Sequence, residues 1–92
     1  MIVSFAHKGL EVFFLTGSTQ GIQAKHAAKL ELILDLLDQV EQPEQMNFAG
    51  SGLHQLKGHL RGHWSVKVSG NWRVTFRLDG GDAHVVNYHD YH

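Results

Sequence analysis

The last five residues of the chain, Tyr88-His89-Asp90-Tyr91-His92, bring together side chains that can exchange protons. Histidine has an ordinary pKa of about 6.5, so it can act both as a base and as an acid near neutral pH. The segment follows directly from the β-prone run that begins at Ala83. We therefore expect an ordered strand end, with a disordered polar tail as the alternative.

Positive charge is concentrated a short distance before this tail. Residues 54–77 read HQLKGHLRGHWSVKVSGNWRVTFR and hold five of the eight Lys and Arg residues and no carboxylate. Acid–base groups beside clustered cations suit the cleavage of an RNA phosphodiester. One group takes the proton of the 2′-hydroxyl, another protonates the departing 5′-oxygen, and the cations stabilise the five-coordinate phosphate. This chemistry predicts no metal and no other cofactor, because the substrate supplies its own nucleophile.

Two other functions remain open from the residues alone. A metal site could use His89, Asp90 and His92, and His54, His59 and His63 are also not far apart in the sequence, although these spacings match no established ligand pattern. A non-catalytic RNA-binding sheet could stack bases on Trp64 and Trp72. Both tryptophans, however, alternate in phase with valine and phenylalanine, which places them in the predicted core.

Strict alternation of apolar and polar residues predicts two antiparallel strands, over 64–68 and 72–76. Opposed residues must lie on the same face, so we predict Val68 opposite Trp72 and Lys67 opposite Arg73. The loop would then be 69–71. Placing two cations opposite each other costs about 0.2–1 kcal/mol, and an anionic ligand would offset that cost.

A second hairpin is predicted at the turn 79–82, where two glycines lie between aspartates. If Leu78 pairs with Ala83, then Arg77 lies opposite His84 and Arg73 opposite Tyr88. Alternation would then continue Asp90 and His92 on the basic face, beside Arg73 and Arg77.

The remaining pattern predicts an α+β fold in a single domain over residues 1–92. A strand over 2–5 and helices over 7–16 and 22–40 precede the antiparallel sheet and cover one of its faces. Residues 1–50 have a net charge of −3 and residues 51–92 of +2, which favours a polyanionic partner for the second half. With no cysteine, no secretion signal and no long apolar run, we expect a cytoplasmic protein without a membrane partner.

Several segments together resemble the HigB toxins, members of the RelE-like superfamily of bacterial type II toxin–antitoxin systems. The matching segments span nearly the whole chain in order: SFAHKGLEVFFLTG at the start, LHQLKG at 53–58, GHWSVKV at 62–68, NWRVTF at 71–76, GDA at 81–83 and the terminal NYHDYH. The resemblance implies a small α+β endoribonuclease that cuts mRNA in the ribosomal A site and inhibits translation. It also implies a HigA-like antitoxin as partner, beside the ribosome and mRNA.

The same resemblance implies which residues act. Active-site positions of the family correspond to His54, Asp90, Tyr91 and His92. Phosphate-binding positions correspond to Lys57 and Arg73. Asn71 lies beside Arg73, and Arg77 joins the RNA-binding set from the strand pattern above. We take His54 and His92 as the acid–base pair, Asp90 as an orienting carboxylate or base, and Tyr91 as a positioning or stacking group. Which residue is the acid and which the base stays open, and His59, His63 and His89 receive no role.

Overall fold

The computed structural model describes residues 1–90, and Tyr91 and His92 lie outside the described residues. Its two α-helices are α1 (Lys8–Thr16) and α2 (Ala27–Leu37), and its strands are β1 (His54–Gln55), β2 (Trp64–Ser69), β3 (Trp72–Asp79) and β4 (Asp82–Asp90). Short 3₁₀ turns cover Ala24–His26, Pro43–Met46 and Gly58–Leu60. The strands form an antiparallel sheet in the order β1-β2-β3-β4. The predicted α+β class is therefore confirmed.

The N-terminal segment lies along the outer edge of β4. Ile2 and Phe5 form parallel bridges to Ala83 and Val86, where the sequence predicted a strand over 2–5. The Asp38 carboxylate, just after α2, accepts the N–H of Ile2 at 2.8 Å. This pairing covers backbone groups that an edge strand would otherwise expose.

Each helix end has a local cause. The ring of His7 accepts the N–H of Leu10 at the start of α1. Gly17 ends the same helix with a left-handed φ of 83° and donates its N–H to the Phe13 carbonyl. The second helix is shorter than the predicted 22–40, because the chain before it forms a 3₁₀ turn that buries His26.

One face of the sheet packs against both helices and forms the core. Leu10 and Phe13 of α1 and Ile33 and Leu37 of α2 share this core with Phe76. Trp64 and Trp72 are half-buried and pack against the same cluster, as their alternation with valine and phenylalanine indicated. The apolar face is therefore used in folding.

Two glycines allow the start of α1 to approach the loop that precedes α2. A methyl group at Gly9 would overlap the Gly21 carbonyl, and one at Gly21 would lie 2.5 Å from the Gly9 Cα. Alanine favours a helix over glycine by about 1 kcal/mol. The overlap with backbone atoms outweighs this gain, since forced repacking costs about 1–3 kcal/mol. We expect Gly9→Ala to lower the urea midpoint of unfolding and the exposed control Lys8→Ala to leave it nearly unchanged. A more stable Gly9→Ala would contradict this packing.

The β2–β3 hairpin keeps the predicted pairs but differs at its turn. Lys67 lies opposite Arg73, as predicted, but Ser69 rather than Val68 lies opposite Trp72. The prediction of Val68 facing Trp72 across a loop of three residues is therefore wrong. The register shifts between Lys67 and Ser69, so the two residues Val68 and Ser69 oppose Trp72. This β-bulge absorbs the one-residue mismatch and permits a two-residue turn, with Gly70 at a φ of 56°.

A second bulge lies between β3 and β4. Arg77 lies opposite His84, as predicted, but the register then shifts, and Arg73 lies opposite His89 rather than Tyr88. Val85 takes a left-handed φ of 49° at this point. One extra residue reverses the faces of every residue after it. Asp90 accordingly lies opposite Trp72, in the set that faces the helices, so its predicted position on the basic face is wrong.

Candidate functional site

Three rows of paired residues define the side of the sheet that faces away from the helices. One row joins His54, Ser65, Thr75 and Asn87 across all four strands, a second joins Lys67, Arg73 and His89, and the third pairs Arg77 with His84. We call these nine residues the polar face. Every one of its charged or titratable side chains is a cation or a histidine. Acids follow only at the β3–β4 turn, where Asp79 lies opposite Asp82.

His54 occupies the outer strand of the polar face with an exposed ring. Its Nδ1 lies 3.0 Å from the Gly52 carbonyl oxygen. A carbonyl can only accept, so the neutral ring carries its proton on Nδ1 and presents the lone pair of Nε2. An exposed, fixed Nε2 lone pair is the arrangement that a general base requires.

Arg73 lies at the centre of the second row, between Lys67 and His89. Its guanidinium donates to the Gly70 carbonyl at 2.7 Å and to the Trp72 carbonyl at 3.1 Å. These contacts hold the cation against the turn that contains Asn71. Within residues 1–90 these acceptors are neutral carbonyls. A phosphate placed beside the guanidinium would gain charge-assisted hydrogen bonds.

The other predicted phosphate-binding residues lie around this centre. Arg77 belongs to the polar face and is exposed. Lys57 is also exposed, two residues after the end of β1, in the segment that leads away from His54. Asn71 lies in the β2–β3 turn beside Arg73. The fold thus brings His54, Arg73 and Arg77 onto one face, and places Lys57 and Asn71 at its margins.

The C-terminal part of the predicted site is only partly described. Asp90 ends β4 opposite Trp72 and has an exposed side chain. It lies on the opposite face of the sheet from Arg73. Tyr91 and His92 lie outside the described residues, so their predicted roles remain predictions.

His89 is a member of the polar face that the sequence left without a role. Its Nε2 lies 3.4 Å from the Thr75 hydroxyl, and Thr75 is only 3% exposed. Burial lowers the pKa of His89, and the neighbouring His7 lowers it further. The β-bulge at Val85 brings this residue to the polar face, and no local sequence signal indicates that bulge.

His26 and Tyr88 form a buried polar pair on the opposite side of the sheet. The His26 Nδ1 lies 2.7 Å from the Tyr88 hydroxyl, and both residues are almost inaccessible to solvent. Burial lowers the pKa of His26, with a smaller contribution from Lys25, and burial raises the pKa of Tyr88. Both shifts favour the neutral forms, so the pair is a neutral hydrogen bond rather than an ion pair.

These shifts predict how stability depends on pH. His26 and His89 have folded-state pKa values below the ordinary value, so the unfolded chain binds more protons just below pH 6.5. The free energy of unfolding should therefore rise with pH through this window and fall as the solution is acidified. We expect a lower urea midpoint at pH 5.5 than at pH 7.5. His26→Asn should reduce this dependence, whereas the exposed control His59→Asn should keep it; an unchanged slope in His26→Asn would contradict the assignment.

Neither a metal site nor a membrane span is evident in the described part of the chain. Within residues 1–90, no group of three or more His, Cys, Asp or Glu side chains is arranged to hold a metal ion. None of the helices described there is long and apolar enough to cross a membrane.

Comparison with known proteins agrees with the resemblance seen in the sequence. The family model for RelE-like toxins of the type II toxin–antitoxin system HigB matches residues 3–92. The endoribonuclease HigB of Proteus vulgaris is 41% identical over 92 residues, which cover the whole of both chains. The chain therefore belongs to the HigB family of RelE-like toxins of type II toxin–antitoxin systems.

Proposed function

We propose that the protein is a toxin that cleaves mRNA in the ribosomal A site and thereby inhibits translation. Endoribonuclease activity follows from membership of the HigB family and from a full-length relative that bears this name. The observation that best supports the chemistry is the polar face, where His54 with an accessible Nε2 shares a sheet surface with Arg73 and Arg77.

The reaction we propose is attack by the RNA on its own phosphodiester. The His54 Nε2 takes the proton of the 2′-hydroxyl, and the oxygen forms a bond to phosphorus. His92 protonates the 5′-oxygen as its bond to phosphorus breaks. The products are a 2′,3′-cyclic phosphate, or the 3′-phosphate formed by its hydrolysis, and a 5′-hydroxyl. Asp90 and Tyr91 orient the tail and the substrate, and no catalytic metal takes part.

The cations act on the charge that develops at the phosphate. The guanidinium of Arg73 lies on the polar face and, within residues 1–90, donates to the neutral carbonyls of Gly70 and Trp72. Lys57 and Arg77 are exposed around it. Stabilisation of this kind grows when water is excluded from the site. Arg73 is therefore the cation we assign to the phosphate, and Asn71 supports it from the adjoining turn.

The ribosome is proposed as the partner that positions the substrate. The protein measures only 29 × 27 × 26 Å, and its single polar face offers few phosphate contacts. Free RNA should therefore bind weakly and in a strongly salt-dependent manner. A partner that supplies the geometry of attack can contribute about 7–11 kcal/mol. A HigA-like antitoxin is the second expected partner, and the proposed location is the cytoplasm, where ribosomes translate.

The experiment compares cleavage of one mRNA by the purified toxin with and without programmed ribosomes. We expect rapid cleavage at defined codons on ribosomes and only slow cleavage of the same RNA alone. His54→Ala should remain bound to ribosomes and cleave neither substrate. Equal rates on free and ribosome-bound mRNA would remove the ribosome from the mechanism. Translation arrest without cut mRNA would instead identify a non-catalytic binding module.

A further inference from the structure

Four aromatic rings from separate parts of the chain meet near the end of β4. Tyr88 and Trp72 pack with their ring centroids 4.7 Å apart. The ring of His26 lies edge-on to both, at 5.7 Å from Trp72 and 6.0 Å from Tyr88. His7, which caps α1, approaches Tyr88 at 5.4 Å. The segment that precedes the tail is thus tied to α1, to the start of α2 and to β3.

The polar atoms of this cluster select one hydrogen-bonding arrangement. The backbone N–H of Gln23 donates to the Tyr88 oxygen at 3.4 Å, so that oxygen already accepts one hydrogen bond. The Tyr88 hydroxyl therefore donates its proton to the His26 Nδ1 at 2.7 Å. The neutral His26 ring then carries its own proton on Nε2. The opposite tautomer would leave the buried Tyr88 O–H without an acceptor, which is unfavourable. One hydroxyl therefore links the turn before α2 to β4.

The cluster lies next to the residues that act in catalysis under the proposed function. Tyr88 precedes Asp90 by two residues, and Trp72 is the cross-strand partner of Asp90. A small rotation of β4 at Tyr88 would be carried along the backbone to Asp90, where the strand ends. Displacement of a catalytic group by about 1 Å can cost about 100-fold in rate.

We propose that His26, acting through the Tyr88 hydroxyl, is a positioning residue for RNA cleavage. It touches no substrate and transfers no proton in the reaction. Its neutral Nδ1 holds Tyr88, and Tyr88 sets the direction of β4 at Asp90, to which the proposed catalytic residues Tyr91 and His92 are covalently attached. The inference rests on the proposed function, because it assumes that these residues act in catalysis.

Three variants and one control test the link. Tyr88→Phe removes only the hydroxyl and keeps the ring contacts with Trp72. His26→Leu removes the acceptor, whereas His26→Asn keeps one, because an asparagine oxygen can replace the Nδ1. The matched control is Asp38→Ala, which deletes the 2.8 Å hydrogen bond to the Ile2 N–H and leaves the aromatic cluster intact. Melting temperatures establish that all four variants fold and show how far each is destabilised.

The first readout is the separation of kcat from KM on programmed ribosomes. Tyr88→Phe and His26→Leu should lose about 10- to 100-fold in kcat, with KM for ribosomes within about twofold of the parent. His26→Asn should recover most of the loss, and Asp38→Ala should keep the parent kcat at a comparable melting temperature. Parent kcat in Tyr88→Phe would overturn the inference, as would an equal loss in Asp38→Ala.

The second readout does not depend on catalysis. Backbone ¹⁵N order parameters of His89 and Asp90, at the end of β4, should fall in Tyr88→Phe and stay at the parent values in Asp38→Ala. Unchanged order parameters in Tyr88→Phe would overturn the positioning role. The cleavage rate of His54→Ala on programmed ribosomes distinguishes a failure of this inference from a failure of the proposed function. Full activity of His54→Ala would overturn the proposed function, whereas an inactive His54→Ala beside a fully active Tyr88→Phe would overturn this inference alone.

Discussion

Replacing His54 with alanine is expected to lower the rate of mRNA cleavage about 10²–10⁴-fold while ribosome binding persists. The ring is exposed and its Nδ1 donates to the Gly52 carbonyl, so the substitution removes a presented Nε2 lone pair without opening a cavity. The cations of the polar face remain and continue to attract RNA. Single-turnover cleavage on programmed ribosomes measures the rate, and ribosome co-sedimentation measures the binding.

His59→Ala is the matched control for this variant. His59 is also exposed and lies in the 3₁₀ turn that follows β1, outside the polar face. It should cleave at a rate close to that of the parent. Loss of ribosome binding in His54→Ala would show that the residue acts through affinity, and parent-like cleavage would remove it from catalysis.

Deleting Tyr91 and His92 is expected to abolish growth arrest while the domain stays folded. The buried residues of the described core, including Val86 and Tyr88 of β4, all precede the deletion. The resemblance to HigB toxins assigns catalytic positions to both deleted residues. Growth after induced expression and RNA cleavage by the purified protein measure the loss, and thermal unfolding reports the fold.

A second variant separates chain length from side-chain chemistry. Tyr91→Ala with His92→Ala keeps the backbone and removes both functional groups, so it should be as inactive as the deletion. An active double-alanine variant would mean that the backbone of the tail, and not its side chains, matters. Arrest of growth by the folded deletion variant would place the active site elsewhere.

Much of the strand pairing in the sheet can be predicted from the alternation of apolar and polar residues in the sequence. Alternation of two apolar runs correctly predicted Lys67 opposite Arg73 and Val66 opposite Val74. Burial of one face enforces this register, because a shift by one residue would expose the core set. The same argument predicted one basic face, on which Arg73 and Arg77 do lie.

The two bulges mark where this reasoning fails. Val68 and Val85 look like ordinary strand residues, yet each lies at a register shift, and Val85 adopts a left-handed φ that valine rarely takes. The strand around Val85 pairs with the N-terminal segment on one side and with β3 on the other, and these contacts offset the cost of the unusual backbone conformation. They include the 2.8 Å hydrogen bond from the Val85 N–H to the Ser4 hydroxyl, across 81 residues. The local alternation of apolar and polar residues cannot indicate a contact between residues so far apart in the sequence.

The buried pair of His26 and Tyr88 was missed for the same reason. His26 precedes the apolar stripe of α2 and resembles any polar residue at a helix start. Its partner Tyr88 lies 62 residues away, and only the tertiary fold brings the two together. A tyrosine in phase with the core residues of β4 is the one local hint, since a buried hydroxyl requires a hydrogen-bond partner.

A 2′-deoxy substitution at the cleavage site tests the central claim most directly. Purified toxin is incubated with ribosomes programmed with mRNA that carries either ribose or 2′-deoxyribose at the cut nucleotide, and the ends of the products are analysed. The proposed chemistry predicts that the ribose substrate yields a 2′,3′-cyclic phosphate or 3′-phosphate and a 5′-hydroxyl, and that the deoxy substrate is not cut. Cleavage of the deoxy substrate, or a 5′-phosphate on the product, would contradict it and indicate a metal-activated water.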